Sequence, residues 1–233
     1  MPRDVIIACD FPGKKETLAF LNQFTGKKPF VKIGMELFYG EGPDIVRELK
    51  DLGHPVFLDL KLHDIPNTVH RAMKNLAKLD IDMTNVHAAG GSAMMRGALE
   101  GLAEGAVTKP ALLIAVTQLT STSEEVMHNE LLIPGKIQEV VASYAATTKS
   151  AGLDGIVCSP LETAIAKDRC GAGFITVTPG IRYPEGDIGD QSRVTSPADA
   201  AKLGSDYIVV GRPITAAPDP VVAYNRVLKD FLG

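Results

Sequence analysis

The sequence predicts a (β/α)8 barrel, and three observations carry that prediction. Short apolar, β-rich runs recur about eight times, each followed by a stretch with helical spacing. No linker or low-complexity segment divides the 233 residues, a length that suits one such barrel. The unusual polar residues gather where the strands end, and barrels of this kind carry their active sites at that rim. Consecutive strands joined through helices run parallel with right-handed crossovers. A doubly wound open sheet is the alternative that the same pattern allows.

The first strand covers residues 5–9 and stops at Asp10, and residues 16–24 follow with Leu18, Leu21 and aromatic residues at helical spacing. Strand two, residues 30–33, carries Lys32 and precedes a helix around 43–52. Strand three begins at Phe57; Ile65-Pro66 ends it and opens the helix that continues over 68–79. Residues 83–87 form strand four, ending in His87, and Ala88-Ala89-Gly90-Gly91 leads to a helix at 94–104. Strand five, residues 111–119, is separated from the helix at 137–151 by a longer segment, 120–136. After strand six, residues 155–158, Ser159-Pro160-Leu161-Glu162 reads as a capping box with proline at the first helical position. Strand seven covers 174–178, and Ser196-Pro197-Ala198-Asp199 starts another helix in the same way. Strand eight, residues 207–210, runs into Gly211-Arg212-Pro213, and Asp219-Pro220 caps a last helix over 221–231. The whole chain is expected to be one domain with its active site on the C-terminal rim.

Composition narrows the function. With 45% hydrophobic and 22% charged residues the chain can bury a full core. A net charge of −4 and no basic run give no electrostatic basis for binding nucleic acid or an anionic membrane. The sequence has no apolar stretch of membrane-spanning length and no signal-peptide pattern at its start. Cys9, Cys158 and Cys170 are an odd set without metal-ligand spacing, which points to reduced thiols in a cytoplasmic protein and to no metal site. Parity turns Cys9 toward the helix layer as a small core residue.

The chemistry begins at Phe57-Leu58-Asp59-Leu60-Lys61-Leu62-His63-Asp64. Side chains on a strand alternate, so Phe57, Asp59, Lys61 and His63 share one face and the leucines the other. A carboxylate and an ammonium thus stand where a fold would place Val or Ile, at a cost of several kcal/mol per ion unless they pair. Taken alone, Asp-x-Lys reads as a structural ion pair at a strand end. Its company changes that reading. Asp10, Lys32, Asp64, His87, Thr120, Arg182 and Arg212 all fall at or beyond strand ends. Gly211-Arg212, with Pro179-Gly180-Ile181-Arg182, matches the place where barrels hold phosphate, glycine admitting backbone N–H groups and arginine offering a two-pronged fork. The glycine-rich segment 179–192 suits a lid, and Gln191 has both an amide donor and an acceptor for a uracil-like edge. Lys61, held among carboxylates, is a proton donor able to stabilise negative charge developing on carbon. His54, His70 and His128 read as turn or surface residues, His87 as a rim residue without an assigned role, and Met94-Met95 as helix packing.

These motifs resemble orotidine 5′-phosphate decarboxylases, in particular the bacterial single-function form. The resemblance rests on Asp59-Leu60-Lys61-Leu62-His63-Asp64-Ile65-Pro66-Asn67-Thr68, Asp10, Phe30-Val31-Lys32-Ile33-Gly34, Val177-Thr178-Pro179-Gly180-Ile181-Arg182 and Val209-Val210-Gly211-Arg212-Pro213-Ile214, and it spans essentially the whole chain. Asp-x-Lys-x-x-Asp by itself is shared with sugar-phosphate enzymes of the same superfamily. The resemblance implies loss of CO2 from C6 of orotidine 5′-monophosphate to give uridine 5′-monophosphate, without cofactor or metal. It implies Lys61 as proton donor, Asp59 against the leaving carboxylate, and Lys32 and Asp10 at the ribose. It further implies Thr120 and Gln191 at the pyrimidine, Arg182, Gly211 and Arg212 at the phosphate, and Ile65 and Pro179 among the other substrate-binding residues. Finally it implies a homodimer, with Asp64 and Thr68 serving the neighbouring subunit's site. A metal-dependent sugar-phosphate decarboxylase or epimerase, and a non-catalytic phosphate-ligand binding barrel, are the competing readings.

Overall fold

A computed structural model describes residues 3–184 and 194–233. Its strands are β1 (Asp4–Ala8), β2 (Phe30–Gly34), β3 (Val56–Leu62), β4 (Met83–His87), β5 (Leu112–Val116), β6 (Gly155–Val157), β7 (Ile175–Thr178) and β8 (Tyr207–Val210). They close in sequence order into a parallel barrel. The seam is direct, with Ile6 opposite Val209 and Ile7 opposite Val210. That pairing removes the open-sheet alternative.

The helices are α1 (Lys14–Leu21), α2 (Met35–Glu41), α3 (Asp44–Asp51), α4 (Pro66–Ala77), α5 (Gly91–Gly105), α6 (Glu124–Asn129), α7 (Ile137–Ser150), α8 (Thr163–Cys170), α9 (Pro197–Lys202), α10 (Arg212–Thr215) and α11 (Pro220–Leu232). Among them α2, α6 and α10 were not expected from the sequence. Each is short; α2 buries only Leu37 and α6 only Met127, so neither has the apolar stripe by which a helix is read. The capping box forms as expected: the Ser159 hydroxyl accepts from Leu161 N–H, and the Glu162 carboxylate accepts from Ser159 N–H at 2.9 Å.

Period-two alternation divides the core into two layers. Ile6, Phe30, Phe57 and Met83 fill the barrel interior, while Val5, Ile7 and Cys9 face the helices. Cys9 is fully buried, and that burial pushes its thiol up to about 12. Met94 and Met95 are helix packing, as expected. His54 is a correction: it is buried, not a surface residue, and its Nδ1 lies 3.0 Å from the Pro29 carbonyl.

The barrel floor is tied by aspartates that precede β4, β6 and β8. Asp82 accepts from Val56 N–H and from the Lys50 ammonium, Asp154 from Leu113 N–H, and Asp206 from Thr176 N–H and the Lys167 ammonium. Beside the site, α4 and α5 pack closely because α5 presents glycine. A Cβ added at Gly101 would lie 2.1 Å from the His70 carbonyl oxygen. This approach fixes α4, whose first turn continues the functional end of β3.

Candidate active site

On β3 the side chains alternate as expected, Phe57 inward and Leu58 and Leu60 toward the helices. The ladder to β4 then slips, with Leu58 opposite Thr84 but Leu62 opposite Val86. Two more residues stand on β3 than on β4 between those pairs, a bulge that re-aims the strand end. Lys61 lies within it at φ 51°, a left-handed backbone that costs roughly 1 kcal/mol for a residue with a Cβ. Nothing in the local sequence announces this conformation. It is held from β4, where the Asn85 side-chain oxygen accepts from Lys61 N–H at 2.8 Å.

The bulge brings charges from three elements together. Lys61 Nζ lies 2.7 Å from Asp59 Oδ1, and Lys32 Nζ lies 3.5 Å from Asp59 Oδ2 and 3.0 Å from Asp10 Oδ1. Asn85 Nδ2 donates to Asp59 Oδ1 at 2.7 Å. Burial alone would raise the Asp59 pKa, but Lys32, Lys61 and the hydrogen bonds from Lys61 and Asn85 outweigh it and hold the carboxyl below its ordinary value. Lys32 answers to the same balance: burial favours loss of its proton, and Asp59 and Asp10 hold it above the usual ammonium range. Both groups are therefore charged at neutral pH, as a stable alternating network requires.

Lys32, Asp59 and Lys61 line a cavity of about 230 Å3 together with Thr120 and Pro179. Phe57, Val116, Val157, Val177 and Val209 contribute apolar wall, and Gln118 and Ser121 add polar edges. Arg182 and Arg212 line a second cavity of about 570 Å3, with Tyr183, Pro213 and Arg226. Arg182 lies three residues past Pro179 and Arg212 three past Val209, so both cavities lie off the ends of β7 and β8; Gly211 is half-buried between Val210 and Arg212.

Some expected residues stand apart within this chain. Asp64, Ile65 and Thr68 are exposed, and none lines the charged cavity. The Asp64 carboxylate accepts from Ile65 N–H at 2.6 Å. Gln191 lies outside the described residues, as does most of the expected lid. His87 and His63 form a ring pair with centroids 5.7 Å apart, and burial, with His63 and Lys61 nearby, lowers the His87 pKa. Among the described residues no group of three or more His, Cys, Asp or Glu side chains is placed to hold a metal ion, and no helix is long and apolar enough to cross a membrane.

Sequence reasoning missed Asn85, Gln118 and Ser121. For Asn85 a signal existed: with Met83 and His87 it occupies one face of β4, and Met83 lies in the barrel interior. A buried amide on an interior face, one strand from Asp-x-Lys, was the cue.

The arrangement offers two ammonium groups, one buried carboxylate between them and an apolar pocket above, with arginines beyond. Such a site can orient an anion, deliver a proton and stabilise charge without bulk water. A family model described as "Orotidine 5'-phosphate decarboxylase / HUMPS family" matches residues 3–227. A protein from Bacillus cytotoxicus named orotidine 5′-phosphate decarboxylase is 57% identical over 236 residues, covering 100% of this chain and 99% of that one. The solved orotidine 5′-phosphate decarboxylase of Lactobacillus acidophilus is similar with a TM-score of 0.90 and 43% identity, covering 99% of this chain and 100% of that one. An uncharacterized conserved protein from Geobacillus kaustophilus gives a TM-score of 0.87 and 51% identity, covering 97% of this chain and 99% of that one.

Proposed function

The chain belongs to the orotidine 5′-phosphate decarboxylase / HUMPS family, and on that premise we propose that it converts orotidine 5′-monophosphate to uridine 5′-monophosphate and CO2, the last step of UMP synthesis. The observation that carries this reading is the Lys32–Asp59–Lys61 network facing an apolar cavity on the barrel rim, with Asp10 behind Lys32. Full-length relatives sharing more than half their residues favour the decarboxylase over a sugar-phosphate enzyme.

In the proposed reaction the arginine forks of Arg182 and Arg212, with backbone N–H at Gly211, take the phosphate. Asp10 and Lys32 take the ribose. Thr120, Pro179 and Gln191 bound the pyrimidine, which sets C6 and its carboxylate against Asp59 and Lys61. The bond from C6 to the carboxylate breaks, its electron pair stays on C6, and CO2 leaves. A proton from Lys61 Nζ then completes the C6–H bond, and the lysine regains a proton from solvent. The Lys61 ammonium stabilises the carbanion electrostatically before it gives up the proton. Substrate carboxylate beside Asp59 at 4 Å would cost about 4 kcal/mol at an effective dielectric of 20, and departure of CO2 relieves it. No metal or cofactor takes part in these steps.

The same proposal includes a homodimer, in which Asp64 and Thr68 complete the partner subunit's site, Ile65 bounds its pyrimidine, and Asp64 extends the charge network. Its support is that all three are exposed at the rim, with Ile65 an apolar side chain 66% open to solvent. Cytoplasmic residence accords with three cysteines that are free and buried. The test is the ultraviolet absorbance of orotidine 5′-monophosphate mixed with pure protein, with and without EDTA. Rapid loss of the orotate band regardless of EDTA is expected. No loss would refute the reading, and loss abolished by EDTA and restored by Mg2+ would refute its metal-free chemistry.

A further inference from the structure

We propose that Asn85 is the positioning residue that sets Asp59 and Lys61 together for the decarboxylation proposed above, a reading on which this inference rests. The bulge in β3 takes Lys61 out of the regular ladder, with Leu58 and Leu62 the residues paired on either side. A buried backbone N–H without an acceptor is costly, so the bulge needs a substitute for the lost strand partner. Asn85 is opposite the bulge on β4 and is 1% exposed. Its Oδ1 accepts from Lys61 N–H at 2.8 Å, and its Nδ2 donates to Asp59 Oδ1 at 2.7 Å.

That single amide therefore grips the left-handed backbone of the proton donor and the carboxylate beside it. The two contacts also fix which way the amide points. A rotated amide would set oxygen against carboxylate and N–H against N–H, losing both bonds. Asp59 Oδ1 receives both Asn85 and Lys61 Nζ, which leaves Oδ2 toward Lys32 at 3.5 Å. The amide does this without adding charge to a balanced cluster. Leucine or valine would leave Lys61 N–H unsatisfied, and an aspartate would place a second carboxylate oxygen in contact with Asp59. Asn85 need not touch substrate; it acts through the two residues it holds.

The test compares wild type with Asn85→Ala and Asn85→Asp in decarboxylation of orotidine 5′-monophosphate, affinity for uridine 5′-monophosphate, thermal melting and pH profile. Misplacement of catalytic groups by an ångström costs on the order of 100-fold, so Asn85→Ala should lose about that factor in kcat with product affinity within about threefold. Asn85→Asp keeps the acceptor for Lys61 N–H and loses the donor to Asp59. At neutral pH it should lose at least as much, and it should regain activity on acidification as the new carboxyl takes a proton and donates again. Lys32 from β2, Asp59 and Lys61 from β3, Asp10 beyond β1 and the rim pair His63 and His87 also face this cluster. Wild type carries the same groups, so the rescue is read as the difference between the two profiles, with Asp59 and the new carboxyl titrating as a pair in the variant. Asn85→Asp is close in shape to the native side chain and decides the matter if Asn85→Ala does not fold. A folded variant with kcat within about threefold of wild type, a loss confined to KM, or an Asn85→Asp profile parallel to wild type would overturn the proposal. Wild type without activity on orotidine 5′-monophosphate is a different failure: it removes the functional reading and this inference with it.

Discussion

Asp59→Asn separates the two ways in which the buried carboxylate could matter. Its oxygens lie 2.7 Å from Lys61 Nζ and 3.5 Å from Lys32 Nζ, gross attractions of about 6 and about 5 kcal/mol at an effective dielectric of 20. Desolvation offsets much of this, and breaking such a buried pair costs about 3–5 kcal/mol net. For a chain of this length that lowers Tm by roughly 10 °C, which leaves the variant folded at an assay temperature of 25 °C. Removing the negative charge also removes the repulsion proposed between Asp59 and the leaving carboxylate, about 4 kcal/mol at 4 Å. The substrate should then bind more tightly while turning over more slowly. The expected result is a kcat about 1,000-fold lower, a KM for orotidine 5′-monophosphate at least about tenfold lower, and a dissociation constant for uridine 5′-monophosphate within about threefold of wild type. Steady-state kinetics and product titration read all three. If substrate and product affinities shift together, Asp59 makes no differential contact with the carboxylate that leaves, and the repulsion argument falls.

Three further outcomes are expected. Arg212→Ala should weaken binding of uridine 5′-monophosphate by about 10- to 100-fold through loss of charge-assisted hydrogen bonds, read by titration; unchanged affinity would put the phosphate elsewhere. Gly101→Ala should destabilise the fold by about 1–3 kcal/mol, because its Cβ would enter the His70 carbonyl and force α4 from α5; a denaturant midpoint equal to wild type would show that the helices part freely. Asp59 has a folded pKa below its unfolded value near 3.8, so its contribution is present above that value and lost as pH falls through the folded one; Lys32 is raised above 10.5, so its contribution is present below that value and lost as pH rises through its folded one. Melting across pH should accordingly show a steeper acid decline in wild type than in Asp59→Asn, and equal acid slopes would deny the network its role in stability.

Much of the fold was legible because a parallel barrel repeats one simple signal, an apolar run followed by an amphipathic stretch. The strand assignments at residues 83–87 and 207–210 coincide with β4 and β8, and the rest differ by a few residues where strands fade into loops. Short elements escaped: α2 has Gly40 near its end and Gly42 just past it, and buries one side chain, so it lacks periodicity. In the site, Lys32, Asp59 and Lys61 were readable because charge is expensive on an interior face. The left-handed Lys61 was not, since its backbone is imposed by the mismatch between β3 and β4 and by Asn85, a residue more than twenty positions away. Asp64 and Thr68 illustrate the converse. The resemblance singles them out, with Asp64 also marked by its place at a strand end, yet within one chain they face solvent, and their proposed role depends on a second subunit.

The most direct test of the account is Lys61→Ala, assayed beside wild type for loss of the orotate band, with uridine 5′-monophosphate binding and melting as controls for the folded site. A positioned general acid is worth about 10²–10⁴-fold, and the carbanion stabilisation lost with the ammonium adds at least about 10²-fold. Turnover is therefore expected to fall at least about 10,000-fold below wild type in a protein that still folds and still binds product. A folded Lys61→Ala variant that decarboxylates within about tenfold of wild type would show that another group protonates C6, and that the rim network has been misread.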